Sequence, residues 1–74
     1  MNNEKDVEKS YSNREVAAKL RRLADALEAG STFQIMIAGE RISVPPTAVV
    51  EFEYQREGED EEMEIEVKWK RGKS

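Results

Sequence analysis

The sequence predicts an α+β fold: one N-terminal amphipathic helix packed on one face of a four-stranded antiparallel β-sheet, a meander. Two observations carry that expectation. Apolar residues recur at helical spacing between residues 12 and 29, then switch to strict alternation in four later runs. The links between the runs are short, so consecutive strands should pair, and the helix is the one element able to cover the sheet's apolar face.

The helix is announced by YSNREV. Ser12 can cap the entrance amides while Glu15, three residues on, reaches back to the Ser12 amide, and Tyr11 and Val16 stand at hydrophobic-staple positions. Val16, Leu20, Leu23 and Leu27 fall on one face, widened by Ala17 and Ala24, while Arg14, Arg21, Asp25 and Glu28 take the other. Glu15 with Lys19, and Arg21 with Asp25, have the four-residue spacing of helix ion pairs. Gly30 ends the helix because it can turn left-handed.

Strands are expected near 31–37, 41–45, 48–57 and 62–70. Phe33, Ile35 and Ile37 alternate with Thr32, Gln34 and Met36, AGER supplies a tight turn, and Ile42 and Val44 follow with their own alternation. Pro45 and Pro46 end the second strand, since neither has an amide hydrogen to give a ladder. Val50, Phe52 and Tyr54 then share one parity. Beyond a loop at EGEDEE, Met63, Ile65, Val67 and Trp69 share another. All these apolar positions of helix and strands form the expected core, with Trp69 as its last member. Charge suggests the register of the last two strands. Glu53 opposite Lys68 and Glu51 opposite Lys70 would place Phe52 across from Trp69 and Tyr54 across from Val67.

A chain of 74 residues has room for one core, assigned to residues 11–70. The first ten residues, polar and aperiodic, are expected to be disordered, and 71–74 to form a flexible basic tail. Cysteine and histidine are both absent, which excludes disulfides, thiolate or imidazole metal sites and Cys–His nucleophiles. No apolar run approaches the roughly 20 residues of a membrane span, and MNNEKDVEKS does not read as a signal peptide. A soluble, cytoplasmic protein with no membrane partner is expected. The net charge of −4 does not favour nucleic acid, but the charge is unevenly placed. Residues 51–66 hold nine carboxylates against Arg56 alone, and Lys68, Lys70, Arg71 and Lys73 follow.

In order, REVAAKLRRLADALEAG, GERISVP, VEFEYQRE and EMEIEVKWK resemble the Amphi-Trp domain, a small prokaryotic family named for an amphipathic strand that ends in tryptophan. The likeness covers about residues 13–70, and the doubled Pro45-Pro46 departs from it only in a loop. The resemblance implies the helix-on-sheet architecture. It brings no established activity, cofactor or catalytic residue.

The remaining motifs do not support enzymatic chemistry. EGEDEE lacks the ligand order of a calcium loop, and the closing GKS lacks the glycine that a phosphate loop needs where Val67 stands. The glutamates fall on the outward parity, and so small a two-layer domain has little room for a cleft. No catalytic, cofactor or metal residues are therefore expected. The favoured reading is a non-enzymatic interaction or self-association module. It would use a strand edge or the uncovered sheet face, where Met36 and Val49 stand among polar side chains, to meet an unknown protein partner or a second copy. The alternative is weak nucleic-acid contact through Lys68, Lys70, Arg71 and Lys73, with Arg21 and Arg22 of the helix; the acidic strand face opposes it.

Overall fold

The structure, a computed structural model, describes residues 7–72. One helix, α1 (Asn13–Ala29), is followed by strands β1 (Phe33–Ile37), β2 (Glu40–Val44), β3 (Val49–Glu57) and β4 (Asp60–Lys68). The helix entrance is the expected capping box. The Glu15 amide donates to Ser12 Oγ at 3.2 Å, and the Ser12 amide donates to Glu15 Oε1 at 3.2 Å. At its exit Gly30 turns left-handed (φ +65°), and the amides of Gly30 and Ser31 reach back to the carbonyls of Leu27 and Ala26, closing the carbonyl end of the last turn.

The strands are antiparallel, but they form two separate two-stranded ladders, β1–β2 and β3–β4, in place of one four-stranded meander. The break falls at the two prolines. Ala48 donates its amide to the Pro45 carbonyl at 3.1 Å, closing a turn with Pro46 at its second position, where its fixed φ is preorganised. The chain is thereby redirected before β3 can align with β2.

The helix lies on β1 and not on the second hairpin. It meets β1 along one side of its leucine stripe. Arg22 donates to the Gln34 carbonyl and lays its guanidinium 5.3 Å from the centre of the Phe33 ring, while the Tyr11 hydroxyl donates to the Met36 carbonyl at 3.1 Å. The buried core is Ala26, Phe33 (8% exposed) and Val44, with Leu23, Ile35, Ile42, Ala48 and Val67 packed around it. Ala48 and Val67 are thus the second hairpin's contribution, made at its base. A radius of gyration of 14.1 Å, against about 11 Å for a compact chain of this length, reflects a ribbon that projects from the rest.

Several expected core residues are therefore at the surface. Val16, Leu20 and Leu27 stand exposed because the helix turns the Leu23 and Ala26 side to β1. Phe52, Tyr54, Met63, Ile65 and Trp69 are exposed because, among the described residues, no helix covers β3 and β4, and Ile37 and Val50 are half-buried.

Turn geometry also overrules the charge-based register. Glu57 pairs with Asp60 across a two-residue loop whose first residue is Gly58, at φ +62°, the position that a type II′ loop reserves for glycine. The pairs are consequently Val50 with Val67, Phe52 with Ile65 and Tyr54 with Met63, while Glu51 faces Glu66 and Glu53 faces Glu64. The acidic segment expected to loop is largely strand. A tight hairpin loop fixes register by its length, and side-chain charge cannot shift it without undoing the loop.

The first hairpin also turns in two residues, Ala38 (φ +50°) and Gly39 (φ +82°). Both left-handed positions suit Asn-Gly, and an alanine there carries steric strain. Ala38→Asn should raise stability by about 0.5–1 kcal/mol, read as a higher urea midpoint at unchanged slope. An unaltered or lowered midpoint would show that the turn is not strained.

Candidate functional site

The β3–β4 ribbon has two faces of opposite character because side chains alternate along each strand. One face carries the cross-strand pairs Val50·Val67, Phe52·Ile65 and Tyr54·Met63, ending at Arg56 opposite Glu61. Val67 touches the core, and from there the apolar ladder runs outward with none of the described residues packed over it. Phe52 is 71% exposed, Met63 65% and Tyr54 61%. The Tyr54 hydroxyl donates to Glu61 Oε1 at 2.8 Å, which raises the phenol above its ordinary range and pins the ring to the ribbon.

The other face is acidic. Glu53, Glu64 and Glu66 bring carboxylate oxygens within 4.8 Å of one another. The Glu66 carboxylate foremost, then desolvation and Glu64, push the Glu53 carboxyl above the usual glutamate range. Lys68 offsets part of this charge. Its Nζ lies 3.3 Å from Glu51 Oε1 and 3.3 Å from Glu66 Oε1, and these partners, Glu66 first, hold the ammonium above its ordinary value.

The acidic ladder and the helix cap respond to pH with opposite signs. Because the folded ribbon raises the Glu53 pKa, the folded state binds the proton more tightly. Stability is gained as pH falls from neutral through that raised value and is complete below the unfolded one. Glu15 is lowered, chiefly by its hydrogen bonds with Ser12, so the cap's contribution persists above the unfolded value and is lost as pH falls through the folded one. Mild acid should therefore slow amide exchange in β3 and β4, after correction for intrinsic rates, before it loosens the α1 entrance. In Glu53→Gln the ribbon's gain should shrink, and a ribbon loosened by mild acid in the unsubstituted chain would contradict the assignment.

Of the residues expected to make contacts, Val49, Lys68 and Lys70 border one open pocket, with Val49 directly across from Lys68, and Met36 stands apart on the first hairpin. Met36 and Val49 are exposed on different hairpins. Trp69 lies just past β4, 36% exposed, beside an open pocket shared with Thr47, Val49, Glu51, Lys68 and Lys70, so the indole borders the polar face and does not close the core. Lys68 is committed to two carboxylates and Arg22 to Gln34 and Phe33, whereas Arg21, Lys70 and Arg71 are exposed. Lys73 lies outside the described residues. The contiguous apolar face of β3–β4 was missed as a surface because its residues read as core. The sequence sign of it is the proline pair, which interrupts the meander.

Among the described residues no helix is long and apolar enough to cross a membrane. Fold and face together define a small α+β module, a helix on one hairpin with a second, amphipathic hairpin attached at its base. The chain belongs to the Amphi-Trp domain family, whose family model matches residues 1–74. Neither a curated protein nor a solved structure matches it.

Proposed function

We propose that this chain is a non-enzymatic, cytoplasmic protein-interaction module that holds a polypeptide against the apolar face of β3–β4. One observation carries the reading: Phe52, Tyr54 and Met63 form a continuous uncovered patch on a ribbon joined to the core only near its base. An isolated two-stranded hairpin is marginal in water, and a large contiguous apolar patch rimmed by polar side chains marks an interaction surface. A bound polypeptide would supply the second layer that the ribbon lacks. The nucleic-acid alternative has less support, since Arg22 and Lys68 have protein partners and the ribbon's acidic face repels phosphate.

The test compares the immobilised chain with its Phe52→Glu form, each offered native-cell extract and purified chain. The expected result is polypeptide, whether foreign or the chain itself, retained by the first and released by the second. Equal retention by both, or retention by neither, overturns the reading.

A further inference from the structure

The helix and the first hairpin border an open pocket in which the ribbon takes no part. It measures about 300 Å³ and is lined by Lys19 and Arg22 of α1, Gln34, Ile35 and Met36 of β1, and Arg41 of β2. Half of these side chains are cations, and no carboxylate among the described residues lines the pocket. That runs against the composition, since the chain has 16 acidic residues against 12 basic ones. Like charges gathered around one hollow repel one another, and an anion lodged between them removes that cost.

The cations are held by contacts that leave their charge in place. Arg22 donates to the Gln34 carbonyl and lies over Phe33, and Lys19 Nζ is 4.7 Å from the centre of the Tyr11 ring. A carbonyl and a ring orient a cation without cancelling its charge, so an incoming anion meets donors that are already ordered. The nearest carboxylates on the helix are turned elsewhere: Glu15 is engaged by the amide and hydroxyl of Ser12, and Asp25 lines the neighbouring pocket. Arg41 stands exposed across the ladder from Met36. From this arrangement we infer that the pocket binds a small phosphorylated compound, its phosphate received by Arg22, Arg41 and Lys19. Each guanidinium offers a planar fork that matches two phosphate oxygens, and the ammonium adds a point charge. A dianionic phosphate satisfies three cations more fully than a lone carboxylate does. Met36, about half exposed, offers apolar contact to the rest of the molecule, and the volume lies at the lower end of small-molecule sites.

Titration of the isotope-labelled chain with sodium pyrophosphate, read by NMR, tests the assignment. Saturable shifts are expected at the Arg22 and Arg41 side chains and at the Gln34 and Met36 amides, half complete at millimolar pyrophosphate or below. Arg41→Gln and Lys19→Gln should each weaken binding by about tenfold, the worth of one charge-assisted hydrogen bond. Arg14→Gln makes the same change of charge at an exposed helix position that does not line the pocket, and it should leave binding unaltered. Neither Arg41 nor Lys19 belongs to the buried core, so circular dichroism should show α1 retained in both variants. Shifts that sodium chloride reproduces at matched ionic strength, shifts that never saturate, or equal weakening by Arg14→Gln overturn the site. A single-stranded oligonucleotide that binds more than about tenfold tighter at equal phosphate concentration, and loses that binding in Arg41→Gln, overturns the small-molecule assignment in favour of a phosphate polymer.

Discussion

Phe33→Ala should unfold the helix and first hairpin at room temperature. Phe33 is the one aromatic side chain in the buried core, set between Ala26 and Val44 and roofed by the Arg22 guanidinium. Removing a buried phenylalanine costs about 3–5 kcal/mol through lost transfer energy and the cavity left behind. A domain this small rarely draws more than about 3–5 kcal/mol from its core, so the loss is comparable with the whole. The helical circular dichroism signal should collapse. Trp69→Ala supplies the contrast: the indole lies outside the core cluster and is partly solvated, so its removal should shift the melting midpoint far less. Equal effects from the two substitutions would mean that the indole belongs to the core after all.

Gly58→Val should release the ribbon and leave the helix in place. A Cβ at Gly58 would meet nothing within 4 Å, so packing does not object to it. The objection is backbone strain. At φ +62° a β-branched residue is an outlier, and holding it there costs on the order of 1–3 kcal/mol. The ribbon is anchored to the core through Val67 and Ala48 near its base, so its own ladder must absorb that cost. Amide protection in β3 and β4 should fall toward that of an open chain, while α1 keeps its helical signal. A cooperative loss of both would show that the second hairpin is integral to the helix-bearing unit. Together, the two substitutions test whether the core and the ribbon tip are held by separate interactions.

The local elements were legible in the sequence because their causes are local. Ser12 and Glu15 are three residues apart, and their mutual capping is as expected. Gly30 closes the helix as read, and the parity that places Val50, Phe52 and Tyr54 with Met63, Ile65 and Val67 on one ribbon face is correct. The charge-based register fails because loop length constrains a hairpin more tightly than charge pairing does. Two loop residues beginning with glycine make a tighter constraint than an exposed ion pair, even at the expense of setting Glu51 against Glu66 and Glu53 against Glu64.

The candidate site could not be read from the sequence, and the reason is physical. Alternation states that Phe52, Tyr54, Met63 and Ile65 share a face, but it does not state what that face meets. Burial depends on where the turn at Pro45–Ala48 sends the ribbon and on which side of α1 faces β1. Both are decided by packing between elements far apart in the chain, with Arg22 on Phe33 and Gln34, and Tyr11 on Met36. The sequence by itself determined one helix, its caps, four antiparallel strands and the two-faced character of the second hairpin. Only the tertiary structure decided that the hairpins form separate ladders and that the second leaves its apolar side in water, because a hydrophobic pattern specifies a surface to be covered and not the element that covers it.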